Sequence, residues 1–227
     1  MTSPIIVALD LEYADALELA RKIDPNICRL KVGSQLFTSV GPKIIEDLST
    51  LGFDIFLDLK FYDIPNTVAE SVKAASRLGV WMLNVHASGG SLMMNAAKKA
   101  IVGHSKPPLI IGVTMLTSLN EEDINELGIQ DMSSQVLSLA ALAKKNSLDG
   151  IVCSAKDVIN VKNLLGKEFI TVTPGIRFSN YPKDDQSRVS SVRQAIANGS
   201  DYLVIGRPIT QSANPMKSLD SIIKEIS

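Results

Sequence analysis

The chain has 227 residues, 45% of them apolar and only 5% aromatic, with a formal net charge of −1 and a pI near 6.1. This allows a large aliphatic core and gives no global attraction to nucleic acid or anionic membrane, so an anionic substrate would have to be met by a local cluster of Lys and Arg. Two histidines and two well-separated cysteines, Cys28 and Cys153, are too few to expect a zinc site, and no stretch reads as a signal peptide or membrane span; a cytoplasmic protein is expected.

Along the chain, short β-branched runs alternate with longer amphipathic ones. Strands are predicted at 5–9, 28–32, 55–59, 82–85, 109–114, 150–153, 169–173 and 202–205, and helices at 14–23, 43–51, 68–78, 92–101, 134–145, 158–165, 189–198 and 216–226. Repeated strand–helix units require parallel neighbours, and eight units of about 28 residues fit the small end of the (β/α)₈ range. The expected fold class is α/β, a TIM barrel, with residues 1–227 forming one catalytic domain. A doubly wound open sheet is the runner-up, but its first turn would carry a glycine-rich fingerprint, and Leu9-Asp10-Leu11-Glu12 contains no glycine.

Barrel active sites gather at the C-terminal ends of the strands. The first predicted strand ends at Asp10, the second carries Lys31, and the third ends in Asp58-Leu59-Lys60-Phe61-Tyr62-Asp63. Strand alternation would put Asp58 and Lys60 on one face about 7 Å apart. Asp63 then falls just past the strand, where Pro65 is suited to begin a helix. Carboxylates and ammonium groups meeting in one cavity keep each other charged, raising the lysine pKa and lowering those of the acids, which describes a poised proton donor. A lone D-x-K-x-x-D is equally well read as an exposed ion pair beside a helix cap; Asp10, Lys31, Asp58 and Lys60 at one rim favour a site.

The fourth strand runs into Asn84-Val85-His86-Ala87-Ser88-Gly89-Gly90, where His86 is read as a buried histidine satisfied by its neighbours. The fifth ends at Thr114 and continues to Thr117-Ser118, hydroxyls suited to a heterocycle or to capping a helix that starts near Asn120. Arg177 opens a long polar segment, 177–188, which is a candidate lid, and Gly206-Arg207 follow the eighth strand. The loops after strands seven and eight are the usual phosphate position in this architecture, and Arg177, Gln186 and Arg207, beside Gly206, supply the grip. The expected substrate carries a phosphate at one end, with its reacting centre over Lys31, Asp58 and Lys60.

Taken together, Ala8-Leu9-Asp10, Leu30-Lys31-Val32-Gly33, the run 56–67, the run 84–90, Leu116-Thr117-Ser118, Pro174-Gly175-Ile176-Arg177, Asp185-Gln186-Ser187-Arg188 and Gly206-Arg207-Pro208-Ile209-Thr210 make the whole chain resemble the orotidine 5′-monophosphate decarboxylase family of bacterial type. The resemblance implies decarboxylation of orotidine 5′-monophosphate to uridine 5′-monophosphate and CO₂, the last step of de novo pyrimidine nucleotide synthesis, with no metal or other cofactor. It implies a catalytic tetrad of Lys31, Asp58, Lys60 and Asp63, and a homodimer in which Asp63 and Thr67 are contributed to the neighbouring active site. Asp10 would bind the ribose hydroxyls, Thr117 the pyrimidine edge, and Arg177, Gln186 and Arg207 the phosphate, with Gly206 also among the substrate-binding residues. Tyr62 stands where many relatives have histidine.

Two other readings remain. A Mg²⁺-dependent sugar-phosphate decarboxylase, synthase or aldolase on the same barrel would resemble this chain in its D-x-K-x-x-D strand end, but such enzymes use an acid at the second strand end to help hold the metal, where this chain has Lys31. A non-catalytic nucleotide-binding barrel would need the arginines but gives no reason for a buried proton donor.

Overall fold

The computed structural model describes residues 3–177 and 189–226. Eight strands form the wall: β1 (Ile5–Ala8), β2 (Arg29–Gly33), β3 (Ile55–Phe61), β4 (Met82–His86), β5 (Leu109–Val113), β6 (Gly150–Val152), β7 (Ile170–Thr173) and β8 (Tyr202–Ile205). They pair in parallel in sequence order, and β8 closes on β1 with Ile5 opposite Leu203. The helices around them are α1 (Tyr13–Lys22), α2 (Ser34–Val40), α3 (Lys43–Thr50), α4 (Pro65–Ser76), α5 (Gly90–Lys99), α6 (Glu121–Glu126), α7 (Met132–Lys145), α8 (Val158–Leu165), α9 (Val192–Ala197), α10 (Arg207–Thr210) and α11 (Pro215–Ile226). The (β/α)₈ expectation holds. None of the described helices is long and apolar enough to cross a membrane.

All eight predicted strands are present, with ends displaced by no more than two residues. Helices α2 and α10 were not predicted, and α6 was anticipated only by its start near Asn120. Each has four to seven residues, one or two turns, which is too short for an apolar period to register. The longer helices follow their pattern. In α4, Pro65 occupies the first turn, where its missing N–H costs nothing, and Val68, Val72, Ala75 and Ser76 make the buried stripe. Asn120 caps α6 itself, accepting from the Glu122 and Asp123 N–H groups while Asp123 reaches back to the Asn120 N–H, so this cap does not depend on Thr117 or Ser118.

Alternation along the strands separates two cores. Ile5, Val7, Leu30, Val32, Ile55 and Leu57 face outward and pack under the helices, whereas Ile6, Phe56, Met82, Ile111, Val172 and Val204 face inward and fill the barrel. Below this plug the Arg29 guanidinium lies 4.2 Å from the centre of the Trp81 ring and 5.4 Å from that of Tyr202, and donates to the Ser3 carbonyl at 2.7 Å. The barrel is tight at β6: a Cβ at Gly150 would lie 2.3 Å from the Ile170 carbonyl oxygen. Just before β6, Asp149 accepts from Lys98 at 2.6 Å and from the Ile110 N–H at 2.8 Å. Just before β8, Asp201 does the same for Lys162 at 2.6 Å and the Thr171 N–H at 2.7 Å. With the floor and centre filled, the open end is the C-terminal rim.

Candidate active site

A cavity of about 500 Å³ opens at that rim. Its described lining includes Asp10, Lys31, Asp58, Lys60, Thr117, Arg177, Gly206 and Arg207, eight of the eleven residues singled out in the sequence. Asp63 and Thr67 do not line it within this chain, and Gln186, with the rest of the candidate lid through residue 188, lies outside the described residues.

The charged groups form a chain of alternating sign. Lys31, on β2, points inward with its side chain 9% exposed and sets its Nζ 3.2 Å from Asp10 Oδ1 and 3.2 Å from Asp58 Oδ2. Asp58, on β3 and 10% exposed, uses its other oxygen to accept from Lys60 Nζ at 2.7 Å and from Asn84 Nδ2 at 2.6 Å. The outer members are more open, Lys60 at 37% and Asp10 at 63%. Burial pushes the Asp58 carboxyl upward, but Lys31, Lys60 and the Asn84 amide outweigh it and hold the pKa below the ordinary carboxylate value. Burial pulls Lys31 downward, and Asp58 and Asp10 outweigh that, leaving its pKa raised. Both groups therefore stay charged at neutral pH.

Regular alternation does not bring Asp58 and Lys60 together, contrary to expectation. Between Leu57, opposite Leu83, and Phe61, opposite Val85, β3 uses four steps where β4 uses two, so its backbone bulges. Lys60 sits in that bulge with φ at +52°, a left-handed conformation that costs a non-glycine residue on the order of 1–3 kcal/mol and persists only where its surroundings enforce it. The Lys60 N–H is held at 2.8 Å by Oδ1 of Asn84, which is fully buried on β4. The sequence reading gave Asn84 no role. The available signal was a carboxamide at an inward position of the otherwise apolar run Met82-Leu83-Asn84-Val85. Gly33 was missed in the same way: a Cβ there would lie 3.1 Å from Lys31 Nζ and 3.3 Å from Asp10 Oδ1.

The remaining rim residues are accounted for one by one. Asp63 is exposed, accepts from the Ile64 N–H at 2.6 Å, and pairs with no cation among the described residues. Ile64, not Asp63, precedes the first turn of α4, so the helix-cap reading of Asp63 does not apply. Thr67 is exposed on the first turn of α4. The Thr114 hydroxyl is committed to the Val152 carbonyl at 2.8 Å, while Thr117 and Ser118 both line the cavity. His86 is half-buried and packs against the Tyr62 ring, centroids 5.4 Å apart; burial and then the Lys60 charge lower its pKa. Arg177 donates its N–H to the Ser190 carbonyl and Ser190 donates to that of Gly175, tying residues 175–177 to the chain beyond the undescribed segment.

A closed parallel barrel whose rim holds one buried carboxylate between two ammonium groups, beside two arginines, defines a (β/α)₈ protein equipped to bind an anion and to move a proton. The profile of the orotidine 5′-phosphate decarboxylase / HUMPS family matches residues 3–222, and the chain belongs to that family. It is 53% identical over 225 residues to the orotidine 5′-phosphate decarboxylase of Saccharophagus degradans, covering 98% of this chain and 94% of that protein. It is 53% identical over 228 residues to that of Chromobacterium violaceum, covering 100% and 92%. The crystal structure of the orotidine 5′-phosphate decarboxylase of Lactobacillus acidophilus superposes with a TM-score of 0.86 at 37% identity, covering 99% of each chain.

Proposed function

We propose that this protein decarboxylates orotidine 5′-monophosphate to uridine 5′-monophosphate and CO₂, the last step of de novo pyrimidine nucleotide synthesis, in the cytoplasm and without a metal or other cofactor. The observation that carries the reading is the Asp10–Lys31–Asp58–Lys60 chain at the mouth of a cavity that also contains Arg177 and Arg207.

In this reading the bond from C6 of the pyrimidine to its carboxylate breaks and leaves its electron pair on C6. The Lys60 ammonium stabilises that charge and then gives its proton to the same carbon, acting first as an electrostatic group and then as a general acid. Asp58, held charged, faces the departing carboxylate, while Lys31 fixes Asp58 from behind. Thr117 meets the pyrimidine edge, Asp10 the ribose, and Arg177, Gln186, Gly206 and Arg207 the phosphate, whose binding energy helps order the site around the reacting carbon. Asp63 and Thr67 serve the active site of a partner subunit in a homodimer. That role fits their exposure and the exposed apolar Tyr62 and Ile64 on either side of Asp63.

A Mg²⁺-dependent reaction suits these residues less well. The buried rim carboxylate is already engaged by two ammonium groups, and among the described residues no three His, Cys, Asp or Glu side chains gather as metal ligands. The test is the ultraviolet absorbance of orotidine 5′-monophosphate mixed with purified protein in excess EDTA. The expected result is loss of the conjugated-carboxylate absorbance at an undiminished rate; no turnover by folded protein, or turnover that needs Mg²⁺ restored, would overturn the proposal.

A further inference from the structure

We propose that Asn84 is a positioning residue for the Lys60 ammonium, one carboxamide setting both the backbone that carries Lys60 and the carboxylate that Lys60 meets. The orientation of the amide follows from its partners. The Lys60 backbone N–H can only donate, so it faces Asn84 Oδ1 at 2.8 Å; Asp58 Oδ1 is a charged acceptor, so it faces Nδ2 at 2.6 Å. Asn84 is fully buried, and the same Asp58 oxygen receives Lys60 Nζ at 2.7 Å. Backbone N–H, amide, carboxylate and ammonium thus close a ring through Lys60 itself.

The ring lies where β3 leaves its register with β4 and where Lys60 adopts φ +52°. In a regular ladder a main-chain carbonyl would hold this N–H; here a side chain from the neighbouring strand does so. An aspartate at position 84 keeps the acceptor but loses the donor to Asp58, and an alanine loses both. The kinetic part of this inference rests on the decarboxylase reading; the geometric part does not.

The experiment compares Asn84→Ala and Asn84→Asp with wild type by crystallography, by turnover of orotidine 5′-monophosphate, and by binding of uridine 5′-monophosphate. Asn84→Ala should lose about 100-fold in kcat, the scale of a misplaced reacting group. Product affinity should stay within about threefold, because the groups assigned to phosphate and ribose are unchanged. Asn84→Asp should recover relative to wild type by about tenfold as pH falls from 8 to 5.5, since a carboxyl beside Asp58 is disposed to hold a proton and the protonated form donates again. Asp58 and Lys60 contact position 84, Lys31 and Asp10 continue the charged chain from Asp58, and His86 feels the Lys60 and Asp58 charges; all five are common to both proteins, so the ratio reports the new group. In the crystals Lys60 should leave the left-handed region or draw away from Asp58.

A Lys60 geometry unchanged in folded Asn84→Ala, or in Asn84→Asp crystals held near pH 8, would overturn the inference whatever the activity. So would kcat of Asn84→Ala within about threefold of wild type, a ratio for Asn84→Asp that is flat with pH, or kcat and product affinity falling in proportion. If Asn84→Ala does not fold, the near-isosteric Asn84→Asp carries the test alone. An inactive wild type would count against the decarboxylase reading and leave the crystallographic comparison standing.

Discussion

Replacing Lys31 with methionine tests the electrostatics of the rim most directly. The substitution keeps the length of the stem and removes one of the two cations that hold Asp58. Taking away one partner of a buried ion pair costs about 3–5 kcal/mol, because the remaining charge stays buried without compensation. Asp58 keeps Lys60 at 2.7 Å and the Asn84 amide at 2.6 Å, so the lower end, about 3 kcal/mol, is expected; the contact with the 63% exposed Asp10 adds little. The assay is urea unfolding at fixed protein concentration, followed by fluorescence of Trp81, the single tryptophan, which lies at the opposite end of the barrel from the mutation. The pH dependence carries a sign. In wild type the folded pKa of Asp58 is lowered, so its stabilisation is complete above the unfolded value of about 3.9 and is lost as pH falls through the folded one. In the variant, burial with one cation fewer raises that folded pKa, so Asp58 protonates earlier and the deficit shrinks between pH 7 and 4.5. A deficit under about 1 kcal/mol, or one that does not change with pH, would refute the account of Lys31 as the cation that compensates buried Asp58.

Arg207→Ala should lower kcat/KM by about ten- to a hundredfold, the range for losing a charge-assisted hydrogen bond, with KM raised; kcat/KM within about threefold of wild type in steady-state kinetics would remove it from the phosphate site. Asp63→Ala and Lys60→Ala proteins should each be inactive but regain partial turnover when mixed under subunit exchange. The absence of any recovery would count against a site shared across the dimer.

The rim was legible because Lys31 and Asp58 lie inside β2 and β3 and Asp10 lies two residues past β1, so locating the strands located all three. The contact from Asp58 to Lys60 was expected for the wrong reason. Alternation assumes an unbroken ladder, and nothing in Asp58-Leu59-Lys60-Phe61 announces that four residues of β3 will span two of β4. The role of Asn84 was hidden for a related reason, since a buried amide is defined by its partners and both partners come from the next strand. Asp63 and Thr67 are legible as residue types, but both are exposed and neither lines the cavity of its own chain.

Accessibility separates the two lysines. Both ammonium groups touch Asp58, and Lys60 is the one read from the sequence resemblance as the acid. Lys31 lines the cavity but is only 9% exposed and has carboxylates on two sides. Lys60 also lines the cavity but is 37% exposed and is held to Asp58 by one oxygen, at the bulge where its backbone is left-handed. Asp58 cannot be the proton source, because two cations keep its carboxyl ionised. The difference in exposure supports the proposed assignment of Lys60 as the proton donor, with Lys31 holding the negative charge that Lys60 meets; the cost of the left-handed backbone falls at Lys60 itself.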